Sequence, residues 1–82
     1  MHISDELVKR MTTIRHKHYA NDTIFAYLDP GDVDKIEDEV TEAFQGVLKA
    51  LVINTTDDHN TQETARRVAK MFVHEIFKGR YY

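Results

Sequence analysis

Histidines and carboxylates are the residue types in this chain with the most evident potential for chemistry, and two short stretches concentrate them. His16-Lys17-His18 places two imidazoles two residues apart, and Asp57-Asp58-His59 places two carboxylates beside an imidazole. On a helix, residues two apart point roughly 200° apart, so the first stretch predicts no shared metal ion. The second could bind a metal or act as acid and base. Its residue types equally suit a polar loop that leads into a helix, and we predict that loop.

A small basic patch formed by Arg66, Arg67 and Lys70 could contact phosphate groups. Nucleic-acid binding ordinarily needs a broader basic face and a positively charged domain, whereas the formal net charge of this chain is -3. Three cations on one helix more often form salt bridges or part of a protein interface. The sequence therefore predicts no nucleic-acid partner.

Several classes of site are excluded by composition. The 82 residues contain no cysteine, which excludes disulfides and thiolate-bound zinc or iron–sulfur centres. There is no glycine-rich phosphate loop and no nucleophile elbow. No apolar run approaches the roughly 20 residues of a membrane span, and residues 1–10 already mix polar and apolar types, so we expect a cytoplasmic protein without membrane contact. We predict no catalytic residues, no metal and no cofactor in this chain.

Acidic residues are concentrated in one block. Between residues 21 and 42 the only cation is Lys35, and the acidic residues are Asp22, Asp29, Asp32, Asp34, Glu37, Asp38, Glu39 and Glu42. Such a block suits the N-terminal end of a helix, where the helix dipole favours carboxylates. The alternative is an acidic surface that faces a basic partner.

Helical periodicity over residues 3–18 predicts a first, short helix with a narrow apolar face. Ser4 can cap it, and Ile3 and Val8 can form a hydrophobic staple around that cap. The apolar face consists of Leu7, Val8, Met11 and Ile14. Residues 19–31 form a connector, in which Thr23–Leu28 is either a short strand or an apolar loop.

The strongest helical pattern covers residues 32–53. Asp32 or Asp34 can cap this second helix, and Asn54 can end it in the left-handed conformation. Its apolar face consists of Val33, Ile36, Val40, Ala43, Phe44, Val47, Leu48 and Leu51.

A third helix is predicted over residues 61–78, after a polar loop. Asn60 and Glu63 resemble a capping box, Thr64 is a rival cap, and Gly79 occupies the position typical of a C-terminal glycine. Its apolar face consists of Ala65, Val68, Ala69, Phe72, Val73, Ile76 and Phe77.

These patterns predict an all-α fold in a single small domain, residues 1–82. Residues 1–31 provide the first helix and connector, and residues 32–82 form an antiparallel helical hairpin. A domain of this size buries only about 60 to 65% of its unfolded surface. Tyr81 and Tyr82 lie beyond the third helix. We therefore expect a protein partner, with homo-oligomer formation as one possibility.

One segment matches a specific motif. The segment begins at Thr64 with Thr-Ala-Arg-Arg-Val-Ala-Lys-Met-Phe and ends at Gly79 with Glu-Ile-Phe-Lys-Gly. It resembles the type I GTP cyclohydrolases. Members of that family carry Thr-Pro-x-Arg-Val/Ile-Ala-Lys-Met, then an aromatic residue, and then a Glu-Ile/Leu-Phe-x-Gly ending. The matching positions, which we assign a structural or interface role, are Thr64, Arg67, Val68, Ala69, Lys70, Met71, Phe72, Glu75, Ile76, Phe77 and Gly79. Ala65 replaces the proline that fixes a helix start at the preceding threonine. We therefore expect the third helix to begin earlier, near Asn60 or Thr61.

The resemblance implies a role within pteridine and tetrahydrofolate biosynthesis. Enzymes of that family are hydrolases that convert GTP to 7,8-dihydroneopterin triphosphate and formate, with a zinc ion held by two cysteines and a histidine downstream of the matched helix. We expect an N-terminal structural and assembly domain, inactive alone, whose partners are the catalytic domain and neighbouring subunits. The alternative is a free-standing helical protein-interaction module related to that domain.

Overall fold

The structure is a computed structural model that describes residues 2–57 and 59–82, except for the side chains of residues 59 and 62. Its elements are α1 (Ile3–Thr13), a 3-10 turn (Phe25–Tyr27), α2 (Asp32–Ala50), α3 (His59–Met71), a π turn (Phe72–Ile76) and α4 (Lys78–Tyr81). The described residues contain no strand. The predicted all-α fold is confirmed, with α2 and α3 forming the helical hairpin and α1 the shorter N-terminal helix.

Helix α1 lies along the first half of α2. Ile3, Leu7 and Met11 are buried because residues four apart share one face of a helix. Val8 and Ile14, predicted for the same face, are instead 43% and 55% exposed.

Helix α1 begins at the predicted residue 3, but its N-terminal cap and its last residue differ from the prediction. Ser4 does not cap the helix, because its N–H and hydroxyl donate to the Glu39 carboxylate of α2 (3.0 and 2.5 Å). Ile3 is the first helical residue, so the staple with Val8 does not form. The helix ends at Thr13, not at residue 18, because Arg15 adopts a left-handed conformation with φ of 58°.

The connector folds back as a loop around the 3-10 turn rather than as a strand. The buried Ile24 donates its N–H to the carbonyl of Arg80 at 2.8 Å. The guanidinium of Arg80 donates to the carbonyls of His18, Tyr19 and Asp22 at 2.8, 2.5 and 2.9 Å. These bonds tie the connector to α4.

Helix α2 begins after Gly31, whose φ of 87° lies in the region that glycine tolerates without a steric penalty. The prediction of an aspartate cap is wrong. The carboxylate of Asp32 is buried and accepts hydrogen bonds from Arg10 and from the N–H of Asp29, while Asp34 is exposed.

The end of α2 also differs from the prediction, because the helix stops at Ala50. Val52, not Asn54, takes the left-handed conformation, with φ of 65°. The N–H groups of Val52 and Ile53 then bond to the carbonyls of the last helical turn at 3.0 and 3.1 Å, which is a Schellman closure. Asn54 instead accepts hydrogen bonds on its side-chain oxygen from two following N–H groups.

Helix α3 begins at His59, earlier than residue 61 and in the direction expected from Ala65. Asn60, Glu63 and Thr64 lie within the helix, so none of them serves as its predicted cap. Ala65 and Ala69 are 1% and 0% exposed at the contact with α2, where their small side chains permit close packing.

The chain after Met71 departs from the predicted continuous helix. The backbone widens into the π turn, where the N–H of Phe77 donates to the carbonyl of Phe72 at 2.9 Å. Gly79 lies inside α4 without a positive φ, so it is not the predicted C-terminal glycine. Val73 and Tyr81 complete the core that α1 and α2 begin.

Candidate interaction surface

The last part of α2 and the residues that follow it carry exposed apolar side chains. This α2 patch consists of Val47, Leu51, Val52 and Ile53, which are 50%, 65%, 93% and 36% exposed. Val47 and Leu51 lie four residues apart and share a helix face. Lys49 is the only charged residue between positions 43 and 53. The α2 patch is thus an apolar surface with almost no charge.

The patch is uncovered because α1 is too short to reach it. At about 1.5 Å per residue, the 11 residues of α1 extend roughly 16 Å and the 19 residues of α2 roughly 28 Å. Contacts between them run from Arg10 on Asp32 (2.9 Å) to Ser4 on Glu39. Beyond these positions, the described neighbours of α2 are α3 and the π turn, whose Phe72 ring contacts that of Phe44.

The exposure of Val52 and its backbone conformation are both energetically unfavourable in the isolated chain. It is 93% exposed, although its side chain is apolar. It also lies in the left-handed region, which costs an L-residue roughly 1–2 kcal/mol and is a steric outlier for a β-branched side chain. Strained backbone positions of this kind cluster at contact and functional sites.

An aromatic row continues from the α2 patch towards the π turn. The ring of Phe72 lies 5.3 Å from the ring of Phe44 and 6.2 Å from that of Phe77. Phe44 precedes Val47 by three residues on α2. Phe77 and its neighbour Ile76 are 36% and 55% exposed, so apolar surface continues at this end as well.

The structure distributes the matched motif residues over α3, the π turn and α4. Ala69 is fully buried, and Val68 and Phe72 are half-buried, so these three support the hairpin. Arg67 pairs with Glu63 at 3.4 Å across one helical turn. The exposed members are Thr64, Arg67, Lys70, Met71, Glu75, Ile76, Phe77 and Gly79. The motif therefore contributes both to packing and to the outer surface of α3.

In the predicted basic patch of Arg66, Arg67 and Lys70, Arg66 forms salt bridges with α2. Arg66 donates to Glu37 and Asp38 of α2, at 2.8 Å in each case. The hydrogen bonds to Asp38 and Glu37 raise the pKa of the Arg66 guanidinium above its ordinary value. This flank of α3 is therefore bound to the acidic face of α2.

One cluster was not predicted from the sequence. His74 lies between Glu37 and Tyr82, with Nε2 2.9 Å from Oε1 of Glu37 and Nδ1 2.5 Å from the Tyr82 hydroxyl. Burial acts to raise the pKa of Glu37, but the hydrogen bonds from Arg66 and His74 outweigh it and lower the pKa. No sequence spacing signals this cluster, because the π turn sets the direction of His74.

Two described residues of the stretches considered for chemistry, His16 and Asp57, contact polar groups elsewhere in the fold. The ring of His16 lies 4.5 Å from that of Tyr27, and its nitrogens meet the Tyr27 hydroxyl and the carbonyl of Thr23. Asp57 accepts a hydrogen bond from the side chain of Asn54, in the predicted loop. Asp58 and the side chain of His59 lie outside the described part of the structure.

The described residues contain neither a cluster of metal ligands nor a membrane-spanning helix. Among residues 2–57 and 59–82, no three histidine or acidic side chains are grouped closely enough to hold a metal ion. Within the same part of the chain, no helix has the length and apolar character needed to cross a membrane.

Comparison with known proteins identifies no relative. The chain matches no protein-family model, no curated protein and no solved structure.

Proposed function

We propose that this chain is the N-terminal structural and assembly domain of a type I GTP cyclohydrolase, and that the α2 patch packs against the catalytic domain or a neighbouring subunit. The exposed, left-handed Val52 is the observation that carries this proposal. A partner surface that buries Val52 would offset its exposure to water and hold its strained backbone in place. Burial of apolar surface is the main favourable term in most protein association.

The choice of partner rests on the motif between Thr64 and Gly79. Its buried members hold α3 against α2, while the α2 patch lies at the end of the hairpin next to the loop between these two helices. The motif residues thus pack the hairpin that carries the α2 patch, but they are not part of the patch.

In this proposal the chemistry belongs to the catalytic domain. That domain would supply the zinc ligands and convert GTP to 7,8-dihydroneopterin triphosphate and formate, in the cytoplasm. The chain alone should release no formate from GTP and should bind no stoichiometric zinc. Turnover by the isolated chain with bound zinc would contradict the proposed role.

Binding to the catalytic domain of a type I GTP cyclohydrolase tests the proposal. Titration calorimetry should detect a complex with the unaltered chain, and Leu51→Asp should weaken it at least tenfold by placing a charge in the patch. Ile14→Asp is the matched control, since Ile14 is 55% exposed but lies outside the patch. No complex, or equal weakening by both variants, would contradict the proposal.

A free-standing interaction module is the second candidate, and the same patch supports it. A module would use Val47, Leu51 and Val52 on a protein unrelated to the cyclohydrolases. Sedimentation over a range of concentrations would also detect a second copy of the chain on this surface. Failure to bind the cyclohydrolase domain, with Leu51→Asp still disrupting another complex, would favour the module.

A further inference from the structure

A phenol, an imidazole and a carboxylate form a continuous hydrogen-bonded series where the C-terminal residues meet α2. The Tyr82 hydroxyl lies 2.5 Å from Nδ1 of His74, and Nε2 of His74 lies 2.9 Å from Glu37. The Glu37 side chain is only 13% exposed, that of His74 is 36% exposed, and Tyr82 is 61% exposed. The phenol end of the series therefore reaches solvent.

The surroundings of Glu37 determine which nitrogen of His74 carries the proton. Glu37 is ionised, because its other oxygen also accepts a hydrogen bond from Arg66 at 2.8 Å. An ionised carboxylate can only accept hydrogen bonds, so Nε2 of His74 must be the donor. In the neutral imidazole this leaves a lone pair on Nδ1, directed at the Tyr82 hydroxyl. The hydroxyl therefore donates to His74.

We propose that His74 acts as a base for Tyr82, and that Tyr82 is a site of covalent acylation by activated esters. A hydroxyl next to a base that a third group orients is the general arrangement of an activated nucleophile. Glu37 fills the orienting role, since a carboxylate stabilises the imidazolium that forms when the base takes the proton.

The reaction can be followed with p-nitrophenyl acetate. The phenol proton passes to Nδ1 of His74 while the Tyr82 oxygen forms a bond to the acetyl carbon. The carbon–oxygen bond to the leaving group breaks, and p-nitrophenolate departs with that electron pair. The imidazolium of His74 then releases its proton to solvent, leaving O-acetyl-Tyr82.

Two other tyrosines provide internal comparisons. Tyr19 is 73% exposed, but its hydroxyl has no imidazole partner among the contacts of the described residues. Tyr27 also meets an imidazole, with its hydroxyl 3.2 Å from Nδ1 of His16, but that imidazole is oriented by a neutral carbonyl and the phenol is half-buried. Of the three, Tyr82 alone combines solvent access with a carboxylate-oriented base.

Site-resolved acylation rates test the proposal. The full chain is treated with p-nitrophenyl acetate at pH 7.5, and peptide mass spectrometry gives the initial rate at each tyrosine. Tyr82 should react about tenfold or more faster than Tyr19, since a positioned base contributes about 10²–10⁴-fold to such steps. His74→Gln should reduce the Tyr82 rate to that of Tyr19, and the control His16→Gln should leave it unchanged.

Unfolding provides a test that needs no variant. In concentrated urea the rates at Tyr82 and Tyr19 in the unaltered chain should become equal, because the series with His74 no longer exists. Equal rates in the folded chain would overturn the proposal. So would a folded His74→Gln variant that retains the fast Tyr82 reaction, or a rate difference that persists in urea.

Discussion

The guanidinium of Arg10 lies 2.9 Å from Oδ2 of Asp32 and joins α1 to the start of α2. The same nitrogen donates to the carbonyl of Tyr27 at 3.1 Å, and the N–H of Asp29 donates to the same carboxylate oxygen at 2.8 Å. Asp32 is 2% exposed, so one buried carboxylate connects three elements. The hydrogen bonds from Asp29 and Arg10 lower the pKa of Asp32 below its ordinary value.

Removing the charge of Asp32 should therefore destabilise the fold in a pH-dependent way. The pKa of Asp32 is lower in the folded state than in the unfolded state, where it is about 3.9. The ionised Asp32 carboxylate therefore stabilises the fold fully above the unfolded pKa, and this stabilisation is lost as pH falls through the folded-state pKa. Asp32→Asn should lower the free energy of unfolding at pH 7 by about 2 kcal/mol, a typical loss for hydrogen bonds to a charged group. Urea denaturation at pH 7 and below pH 3 measures this loss, which should be smaller in acid.

The control for that variant is Asp34→Asn, because Asp34 is exposed on the first turn of the same helix. Its effect should stay within about 0.5 kcal/mol, as for most surface substitutions. Equal effects of the two variants at pH 7 would contradict the assignment of Asp32 to the buried connection.

Glycine at position 52 should stabilise the isolated chain. Val52→Gly removes the side chain that makes φ of 65° costly, so the free energy of unfolding should rise by about 1 kcal/mol. Lys49→Gly, inside α2, should lower it by about 1 kcal/mol. Urea denaturation compares the two variants, and a loss of stability in Val52→Gly would show that the left-handed closure of α2 is absent.

Proline at position 65 should disrupt α3. Since the helix begins at His59, Ala65 lies in its interior, where proline removes a hydrogen bond and clashes with the preceding turn at a cost of about 3 kcal/mol. His59→Pro is the control, because the first helical position tolerates proline. Circular dichroism and thermal unfolding measure both variants. Unchanged stability in Ala65→Pro would place the start of α3 at Thr64, as in the family motif.

The side chain of Arg80 should hold the connector in its folded conformation. Arg80→Met removes three hydrogen bonds to carbonyls of residues 18, 19 and 22, so the amide of Ile24, which bonds to the Arg80 carbonyl, should lose protection from hydrogen exchange. Lys78→Met, on an exposed position of α4, should leave that protection intact. Equal protection of Ile24 in both variants would show that the guanidinium does not hold the connector.

The sequence predicts the helices and the first residues of α1 and α2, but not the last residues of these two helices. Periodicity located α1, α2 and α3, because apolar spacing reports which face is buried. The ends of α1 and α2 were missed because Arg15 and Val52 occupy left-handed positions that glycine or asparagine ordinarily fills. Residue type therefore did not signal these two helix ends.

The exposure of the α2 patch is less predictable from the sequence than the fold. Val47 and Leu51 belong to the same periodic face as Ile36, but Ile36 lies in the part of α2 that α1 covers and is buried, while the other two lie beyond it and are exposed. The link between Glu37 and His74 depends on the π turn, which the helical periodicity of α3 did not reveal. The exposed α2 patch and the link between Glu37 and His74 both depend on how the helices pack together, which the apolar periodicity of one helix does not predict.

Methyl resonances of the chain, followed during titration with a type I GTP cyclohydrolase catalytic domain, would show whether the α2 patch is the surface that binds this domain. The methyl signals of Val47, Leu51, Val52 and Ile53 should shift or broaden at stoichiometric ratios, while those of Val8 and Ile14 on the α1 side remain in place. Shifts confined to Val8 and Ile14, or no shift at saturating concentrations, would contradict the assignment of the α2 patch as the assembly surface.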